Sequence, residues 1–520
     1  MPTIARAPVF SIGAAGLLLA ALGMFAMQAC TRSREDTHAR QVAARVRTEF
    51  LHAWNSYERY AWGHDALHPL SKTPHDWYGQ SLLMTPVDAL DTLILMNLDA
   101  EAAKAKALIV SNLSFDQDIY VKNFEITIRL LGGLLSSYQL TGDKRLLRLA
   151  EDLGNRLLPA FNSPTGLPYV YVNLRTGQVR DPVTNPAETG TLLLEFGTLS
   201  KLTGKSVFYD KAKRALIETY KRRSPLGLVG QGINVETGAW ADTDSHISGG
   251  IDSYYEYLWK CWLLFGDKEC RDMWTASIPA INKYLPDDTG GELWYGHADM
   301  QTGRRTETTY GALDAFFPAL LALSGDLERA RRLQASSFKM WNLYDIEPEI
   351  LDYRTMRVIT ATYHLRPEIV ESTYYLYHFT RDPQYRQMGE KLFNDFVKYC
   401  RVNAGYAALA DVVTKQRRDK ASSWPRLSNI SIFSLLRAGL WSSTKLSSIP
   451  RRTRLDGHGD AQYFARDVGR FDQLKVLTHR SVRRIFSCRY CRRRRSRQSG
   501  HCPLFRSMRR RLAKHLRLRK

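Results

Sequence analysis

The sequence predicts an all-α fold, an α/α barrel built from at least six helical hairpins. A short turn recurs six times between residues 97 and 382. The segment before each turn is mostly apolar and the segment after it is charged and amphipathic, so an inner helix is paired with an outer one. From Gly142 onward the turns lie 56 to 62 residues apart, the length of a hairpin plus a long loop. Such hairpins must stack or close into a ring to bury both faces, with an irregular helical bundle as the alternative.

Each turn combines a helix stop with the start of the next helix. The stop is glycine or a polar substitute, and an aspartate or lysine opens the following helix. The turns read NLDA at 97, LTGD at 140, LTGK at 202, FGDK at 265, LSGD at 323 and FTRD at 379. Segments such as IRLLGGLLSSYQ precede them and segments such as KRLLRLAEDLGNRLL follow them.

Length and charge divide the chain into a neutral body and a basic tail. The 520 residues, 44% of them apolar, suffice for one large domain or two ordinary ones. The chain before Pro425 carries 48 Lys and Arg against 48 Asp and Glu, whereas residues 425–520 carry 26 basic residues, four aspartates and no glutamate. The formal charge of +22 therefore sits in the tail and does not make the body a nucleic-acid-binding protein.

Residues 1–47 are interpreted as a targeting segment and linker. Arg6 and Arg32 bracket an uncharged, apolar run over 7–31, which fits a signal peptide or a membrane anchor. Either one predicts entry into the secretory pathway, and a buried N-terminal helix is the third alternative. The acceptor sequence Asn112-Leu113-Ser114 agrees with that compartment.

The secretory pathway permits disulfide bonds, but the body is not built on them. Between the targeting segment, which contains Cys30, and the basic tail, only Cys261, Cys270 and Cys400 are present, too few for a disulfide scaffold. The hydrophobic core is therefore expected to hold the fold together.

Carboxylates on mostly apolar inner helices are the candidate catalytic groups, because burying an unpaired charge is costly. Glu125 and Arg129 lie four apart, on one helix face, where they can pair. Asp252 opens the segment DSYYEYLWK, in which Glu256 follows one turn later. For each acid taken alone, the alternative to a catalytic role is a structural one, either capping of the helix N-terminus or pairing with a neighbouring side chain on the helix.

A third acidic group opens the segment RPEIVESTYYLYHF. Pro367 suits the first helical position, Glu368 follows at the start of the first turn, and Arg366 and Glu371 flank it. Acids at the inner-helix ends of a ring suit glycoside hydrolysis, in which two carboxyl groups about 6.5 to 9.5 Å apart admit an attacking water and give inversion.

Six stretches in order resemble glycoside hydrolase family 47, the class I α-1,2-mannosidases, over residues 48–421. They read YAWGHDALHPLS, VDALDTLILMNL, FEITIRLLGGLLSSYQLTGD, AETGTLLLEFGTLSKLTG, GGIDSYYEYLWK and LRPEIVESTYYLY. The resemblance implies an (α/α)7 barrel and inverting, calcium-dependent removal of α-1,2-linked mannose from high-mannose N-glycans. It makes Glu125 an acid, Asp252 an acid or water-orienting carboxylate, and Glu368 the base, while leaving open whether Glu125 or Asp252 protonates the leaving oxygen. It also implies four sugar-contacting residues: Arg129, Glu188, Arg366 and Glu371.

One position differs from part of the family and indicates which branch of the family the chain resembles. Gly250 stands where the processing mannosidases of the endoplasmic reticulum have an arginine that contacts substrate, and this segment resembles the degradation-enhancing branch instead. That branch implies glycoprotein quality control in the lumen or membrane of the endoplasmic reticulum, with a lumenal thiol oxidoreductase as a partner. A lectin-like protein of the same fold, which binds the glycan without cleaving it, is the alternative.

The basic tail over 422–520 is interpreted as a frame-shifted translation. Family members continue with a stretch like SFFLAETLKYLYL and end near VVFNTEAHP, whose threonine binds calcium. Read one frame over, the codons for 421–433 can encode the first string and those for 443–454 can encode FDEVVFNTEAHP. The tail is therefore expected to be disordered, and the ring lacks its last hairpin and its calcium threonine.

This interpretation also removes a tempting metal motif. Cys488, Cys491, His501 and Cys502 accompany the run CRRRRSRQ and would otherwise suggest a zinc knuckle or a nucleic-acid arm. In a wrong reading frame their spacing is accidental. We therefore expect no nucleic-acid partner, membrane contact only through the N-terminal segment, and no protein ligand for calcium in this frame.

Overall fold

A computed structural model describes residues 37–419 of the chain. The apolar N-terminal run and the basic tail, with the predictions made for them, lie outside these residues. Within 37–419, no helix combines the length and the apolar character needed to cross a bilayer. Helices dominate this part of the chain, and short strands occupy the connections between them.

The helices alternate between an inner and an outer ring. The outer helices are α1 (37–60), α3 (Asp99–Asn112), α6 (Lys144–Leu157), α9 (Ser206–Lys221), α11 (Lys268–Tyr284), α13 (Leu327–Asn342) and α15 (Pro383–Cys400). The inner helices are α2 (Met84–Leu95), α4 (Asn123–Ile126) continuing through a π-helical turn (Thr127–Leu131) into α5 (Gly132–Thr141), α8 (Leu193–Thr203), α10 (Asp252–Phe265), α12 (Phe317–Leu323) and α14 (Glu368–Thr380). A short helix, α7 (Pro186–Gly190), precedes α8, and 3-10 turns cover Leu158–Phe161 and Asp314–Phe316.

Burial distinguishes the two rings. Every residue of the inner helix α12 is buried. The outer helix α13, by contrast, buries residues three and four apart, such as Ala330, Leu333 and Gln334, and exposes its charged face. One continuous apolar core, including Trp54, Trp294 and Trp341, joins the helices.

The six turns that the sequence predicts are present. Each contains a residue in the left-handed region, which ends the inner helix: Asn97, Gly142, Gly204, Gly266, Gly325 and Arg381. Four of the following outer helices begin at an aspartate whose side chain accepts a backbone N–H, namely Asp143, Asp267, Asp326 and Asp382. The prediction of a repeated hairpin is confirmed.

Consecutive hairpins pack side by side into a ring. The inner helices contact one another in the chain order α2, α5, α8, α10, α12, α14. Helix α1 lies beside α15, where Arg45 Nη2 donates to Asn394 Oδ1 at 2.9 Å and Arg401 Nε to Glu49 Oε2 at 2.7 Å. The α/α barrel is thus confirmed. The seventh inner helix, which the resemblance places after residue 421, lies outside the described residues.

Short antiparallel strands fill the connections from each outer helix to the next inner one. The two-stranded sheets are β1 (Ala66–His68) with β2 (Thr73–His75), β10 (Pro286–Thr289) with β11 (Glu292–Tyr295), β17 (Arg401–Val402) with β18 (Gly405–Tyr406), and β19 (Ala408–Asp411) with β20 (Gln416–Arg418). The three-stranded sheets, in spatial order, are β3 (Tyr120–Lys122), β4 (Tyr171–Asn173), β5 (Val179–Arg180); β6 (Val183–Thr184), β7 (Gly232–Asn234), β8 (Trp240–Asp242); β13 (Arg305–Glu307), β12 (His297–Asp299), β9 (Asp244–Ser245); and β14 (Thr309–Gly311), β15 (Ile350–Asp352), β16 (Arg357–Thr360). Since the inner-to-outer turns are tight, the inner helices all begin at the end of the ring that carries these strands.

Close packing of α2 against α5 depends on Gly133. A Cβ atom at this position would lie 2.7 Å from the Val87 carbonyl oxygen, whereas one at the adjacent Gly132 would be 3.5 Å from Glu195 Cγ. We expect Gly133→Ala to lower the free energy of unfolding by about 1–3 kcal/mol, because a rigid backbone atom must move. Gly132→Ala is the matched control and should be neutral or stabilising, since alanine favours helix. Thermal unfolding of both variants checks this, and equal behaviour would contradict the packing argument.

Candidate active site

A cavity of about 510 Å³ opens where α4, α7 and α10 begin. Four of the seven residues that the sequence predicts for the site line it: Glu125, Glu188, Asp252 and Arg366. The other three, Arg129, Glu368 and Glu371, lie outside its lining. The strand-carrying end of the ring therefore holds a polar cavity bounded by carboxylates and one guanidinium.

Glu125 is held in the cavity wall by an arginine. It is 6% exposed, and its Oε2 accepts from Arg129 Nε at 3.0 Å, the pairing expected from their spacing. Arg129 also lies 3.7 Å from Asp88 and packs over the Trp77 ring. Burial raises the pKa of Asp88 to about 6. The π-helical turn begins two residues after Glu125, and such turns are frequent at functional sites.

Glu188 lies in the short helix α7, which begins directly after Asn185. Asn185 caps this helix by accepting the Glu188 backbone N–H at 3.0 Å. The Glu188 carboxylate forms an ion pair with Lys122 from β3 and accepts from Thr184 Oγ1 at 3.0 Å. These contacts fix a buried carboxylate and an ammonium group side by side in the cavity wall.

Asp252 is the first residue of α10, and its Oδ1 accepts from the Ser253 backbone N–H at 2.6 Å and from Ser253 Oγ at 3.0 Å. The chain enters this helix through Gly250, which has a φ of +100° and also lines the cavity. The atoms nearest to a Cβ there would belong to Gln231 and Asn185, at 3.6 Å or more. A larger side chain would therefore find space at Gly250, but the left-handed backbone conformation at this position favours glycine.

Glu368, the first residue of α14, lies among other charged groups beside the cavity. Arg366, two residues earlier, lines the cavity and its Nε donates to Glu349 Oε2 at 3.1 Å. Glu347 is fully buried, and neither of its carboxylate oxygens accepts a hydrogen bond from the described residues. Burial raises the pKa of Glu347 well above its ordinary value, and the charges of Glu368 and Glu349 raise it further.

Glu371 belongs to a deeper acidic cluster between α8, α10 and α14. Lys260 Nζ forms an ion pair with Glu256 and lies 3.6 Å from Glu371. On α8, Glu195 accepts from Tyr257 Oη at 2.7 Å. Burial raises the pKa of both Glu371 and Glu195 to about 7. The interior of the ring is thus strongly acidic beneath the cavity.

Sequence reasoning missed three groups of this site. Glu195 stands in the apolar segment LLLEFG and meets the same criterion that selected Glu125 and Asp252, an acid on an apolar inner helix. Glu347, in IEPEI, precedes a strand and carries no periodic signal. Lys122 on β3 also carries none, because only the fold brings it to Glu188.

Glu195 yields a prediction about pH. Its folded pKa of about 7 lies above the ordinary carboxyl value, so protonation favours the folded state and stability falls as pH rises from about 5 to 7. Glu195→Gln removes this loss. We therefore expect the free energy of unfolding of the variant, relative to that of wild type, to be higher at pH 8 than at pH 5 by about 1–2 kcal/mol. Calorimetry at the two pH values checks this, with the exposed Glu328→Gln as the control. Parallel stability curves for wild type and Glu195→Gln would contradict it.

Comparison with known proteins gives a family and a fold. The sequence model of glycosyl hydrolase family 47 matches residues 49–425. Among solved structures, the chain is similar to an α-1,2-mannosidase from Trichoderma reesei, with a TM-score of 0.70 and 27% identity, over 76% of this chain and 93% of that one.

Two relatives illustrate the similarity at the sequence level. The chain is 37% identical over 420 residues to alpha-mannosidase I MNS5 of Arabidopsis thaliana, covering 75% of this chain and 72% of the relative. It is 36% identical over 384 residues to ER degradation-enhancing alpha-mannosidase-like protein 2 of Homo sapiens, covering 71% and 66%. The chain thus spans about two thirds of the length of such relatives.

Proposed function

This chain belongs to glycosyl hydrolase family 47, and we propose that it removes α-1,2-linked mannose from high-mannose N-glycans with inversion. One observation carries the proposal: Glu125, Glu188, Asp252 and Arg366, which come from distant parts of the chain, line one cavity. Carboxylates with an arginine and a lysine between them suit a neutral, hydroxyl-rich ligand, because each polar group can bond a sugar hydroxyl.

The proposed reaction is a single displacement. Glu368 accepts a proton from a water molecule as that water attacks the anomeric carbon of the terminal mannose. The bond from that carbon to the glycosidic oxygen breaks, and Glu125 or Asp252 delivers a proton to the departing oxygen. The products are free mannose and a glycan one residue shorter.

The remaining residues position the sugar and the acids. Arg129 holds the Glu125 carboxylate through its 3.0 Å bond and so limits the orientations of this acid. Arg366, fixed by Glu349, and Glu188, fixed by Lys122 and Thr184, offer a donor and an acceptor to sugar hydroxyls. Glu371 is proposed to contact the sugar from the acidic cluster beneath the cavity.

The acidic interior also fits the calcium ion that the family resemblance implies. Hard cations prefer oxygen ligands, and both carboxylate oxygens of Glu347 lack a hydrogen bond from the described residues. Glu347, with Glu368 and Glu371, would supply negative charge and water-mediated oxygen contacts to such an ion. When bound, calcium would fix hydroxyl groups of the mannose. The threonine ligand of the family falls in the tail and is absent from this reading frame.

We further propose a role in glycoprotein quality control in the endoplasmic reticulum. The similarity to degradation-enhancing relatives, the apolar run at 7–31 and Gly250 in the cavity wall support this assignment. The N-terminal segment would be a signal peptide or an anchor. A lumenal thiol oxidoreductase is the protein partner that this branch implies, in a chain whose Cys261 and Cys270 form a disulfide.

The test separates the enzyme from a lectin-like protein of the same fold. The protein is incubated with a high-mannose glycan, with calcium or with chelator, and mannose release is followed by mass spectrometry. The 520-residue chain and a version with the frame restored from codon 421 are compared. We expect calcium-dependent loss of single mannose residues in the restored version. Binding without release in both versions would favour the lectin.

A further inference from the structure

A second cluster of chemically active side chains lies beside the proposed active site, on the sheet formed by β13, β12 and β9. We propose that Asp244, His246 and His297 bind a zinc ion. The three residues come from two segments more than 50 positions apart, and the fold brings one donor atom of each to within 4.8 Å of the others.

Strand register explains this convergence. Strands β12 and β9 are antiparallel, with Asp299 opposite Asp244 and Ala298 opposite Ser245. Continued by one residue, the register sets His297 opposite His246, and their rings lie 4.4 Å apart between centroids. Residues two apart on a strand share a face, so Asp244 joins the two histidines.

The donor set favours zinc over calcium. Two imidazoles and one carboxylate suit a borderline-soft ion, whereas calcium prefers a shell of oxygen atoms. In a tetrahedral site with bonds of about 2.1 Å, donors lie about 3.4 Å apart. Small side-chain rotations therefore suffice to close the cluster on an ion.

Existing hydrogen bonds orient the three side chains. His297 Nδ1 lies 2.6 Å from Asp244 Oδ2, and an ion bound between them replaces the proton of this bond. His246 Nδ1 accepts from the Ser248 backbone N–H at 3.1 Å, and its Nε2 faces Gln231 Oε1 at 3.0 Å. His246 reaches the ion by giving up one of these two bonds.

An entry path and further negative charge accompany the cluster. A second cavity, of about 490 Å³, is lined by His297, Glu307, Asp314 and Asp352, among others. An aquo cation can approach His297 through it, and the carboxylates attract a cation and leave room for a water ligand. Asp314 is 1% exposed and is held by the Gly311 N–H at 2.8 Å.

Such a site would reinforce the wall of the active-site cavity. The segment from His246 leads directly to Gly250 and Asp252, and the hydrogen-bond partner of His246, Gln231, lines that cavity. A zinc ion would therefore fix the approach to α10 without contacting substrate. Zinc binding is independent of whether the proposed mannosidase activity exists.

The experiment measures zinc directly. The full-length chain is prepared without a histidine tag, stripped with chelator, and titrated with Zn²⁺ by calorimetry, followed by metal analysis after dialysis. Cysteines of the basic tail would confound the result, so all proteins carry serine at Cys488, Cys491 and Cys502. We expect one retained zinc ion per chain and a raised midpoint of thermal unfolding. Asp244→Asn and His297→Gln should each weaken zinc affinity about tenfold or more.

A matched control uses a second pair of neighbouring histidine rings among the described residues. His68 and His75 lie 4.9 Å apart but belong to no described metal-ligating cluster, so His75→Gln should leave zinc affinity unchanged. Circular dichroism verifies folding of each variant. Should both cluster variants fail to fold, the visible spectrum of Co²⁺-loaded wild type decides, since nitrogen and oxygen ligation in a tetrahedral site gives intense bands. No retained zinc, no such bands, or variants that bind as tightly as wild type would overturn the proposal.

Discussion

In the version with the frame restored from codon 421, replacing Glu368 by glutamine is expected to reduce mannose release by about a hundred- to ten-thousandfold, the range lost with a general base. The amide keeps the shape of the side chain at the start of α14 but cannot accept a proton from water. Glycan affinity should stay within about threefold of wild type, because the sugar contacts of Arg366 and Glu188 remain. Single-turnover kinetics with a labelled glycan, combined with calorimetric binding, measures the two quantities separately.

The control for Glu368→Gln is Glu328→Gln. Glu328 lies in the first turn of the outer helix α13 and is exposed, so it tests the same substitution in a first helical turn away from the cavity. The Glu328→Gln variant should release mannose at the same rate as the protein without this substitution. Near-normal turnover by Glu368→Gln would remove the base assignment, and loss of both binding and turnover would indicate a structural role instead.

Restoring the reading frame from about codon 421 is expected to convert a chain without turnover into an active one. The resemblance places the seventh hairpin and the calcium threonine in codons that the printed frame translates as a basic, glutamate-free tail. Without them we expect the ring to lack an inner helix and calcium to lack its threonine ligand. Hard cations need convergent oxygen ligands, which the basic residues of the tail do not offer.

Two measurements decide this prediction. Resequencing the transcript across the codons for 419–424 shows which frame is real. Mannose release by the two purified chains, each with calcium and with chelator, then compares their activities. Calcium-dependent trimming by the 520-residue chain, with its frame confirmed, would contradict the prediction and require a calcium site built from other residues.

Much of the fold could be predicted because its signals are local. The six turns are short, each needs one residue in the left-handed conformation, and glycine at four of them marks that requirement in the sequence. The alternation of apolar and charged helices follows from the helical period alone. The π-helical turn at Thr127–Leu131 carries no such signal and was not predicted. The short helix α7 was also not predicted, although Asn185 and Pro186 form a local helix-start signal.

The candidate site was predicted less completely. Glu125, Asp252 and Glu368 attract notice because an acid on an apolar helix is costly unless it has a function or a partner. Glu347 and Lys122 escaped notice because they lie in loops and strands, where acids and lysines are ordinary residues. The roles assigned to these three residues are predictions, and Glu368→Gln tests the one assigned to Glu368.

By itself, the sequence determined the helical hairpins, their order and the placement of acids at the starts of inner helices, since these depend on residues within a few positions of one another. The tertiary structure alone decided which side chains meet: Lys122 with Glu188, Arg366 with Glu349, and His246 with His297. These pairs are 17 to 66 residues apart. Contacts between distant segments depend on how long loops close over the ring, and no local periodicity encodes that closure.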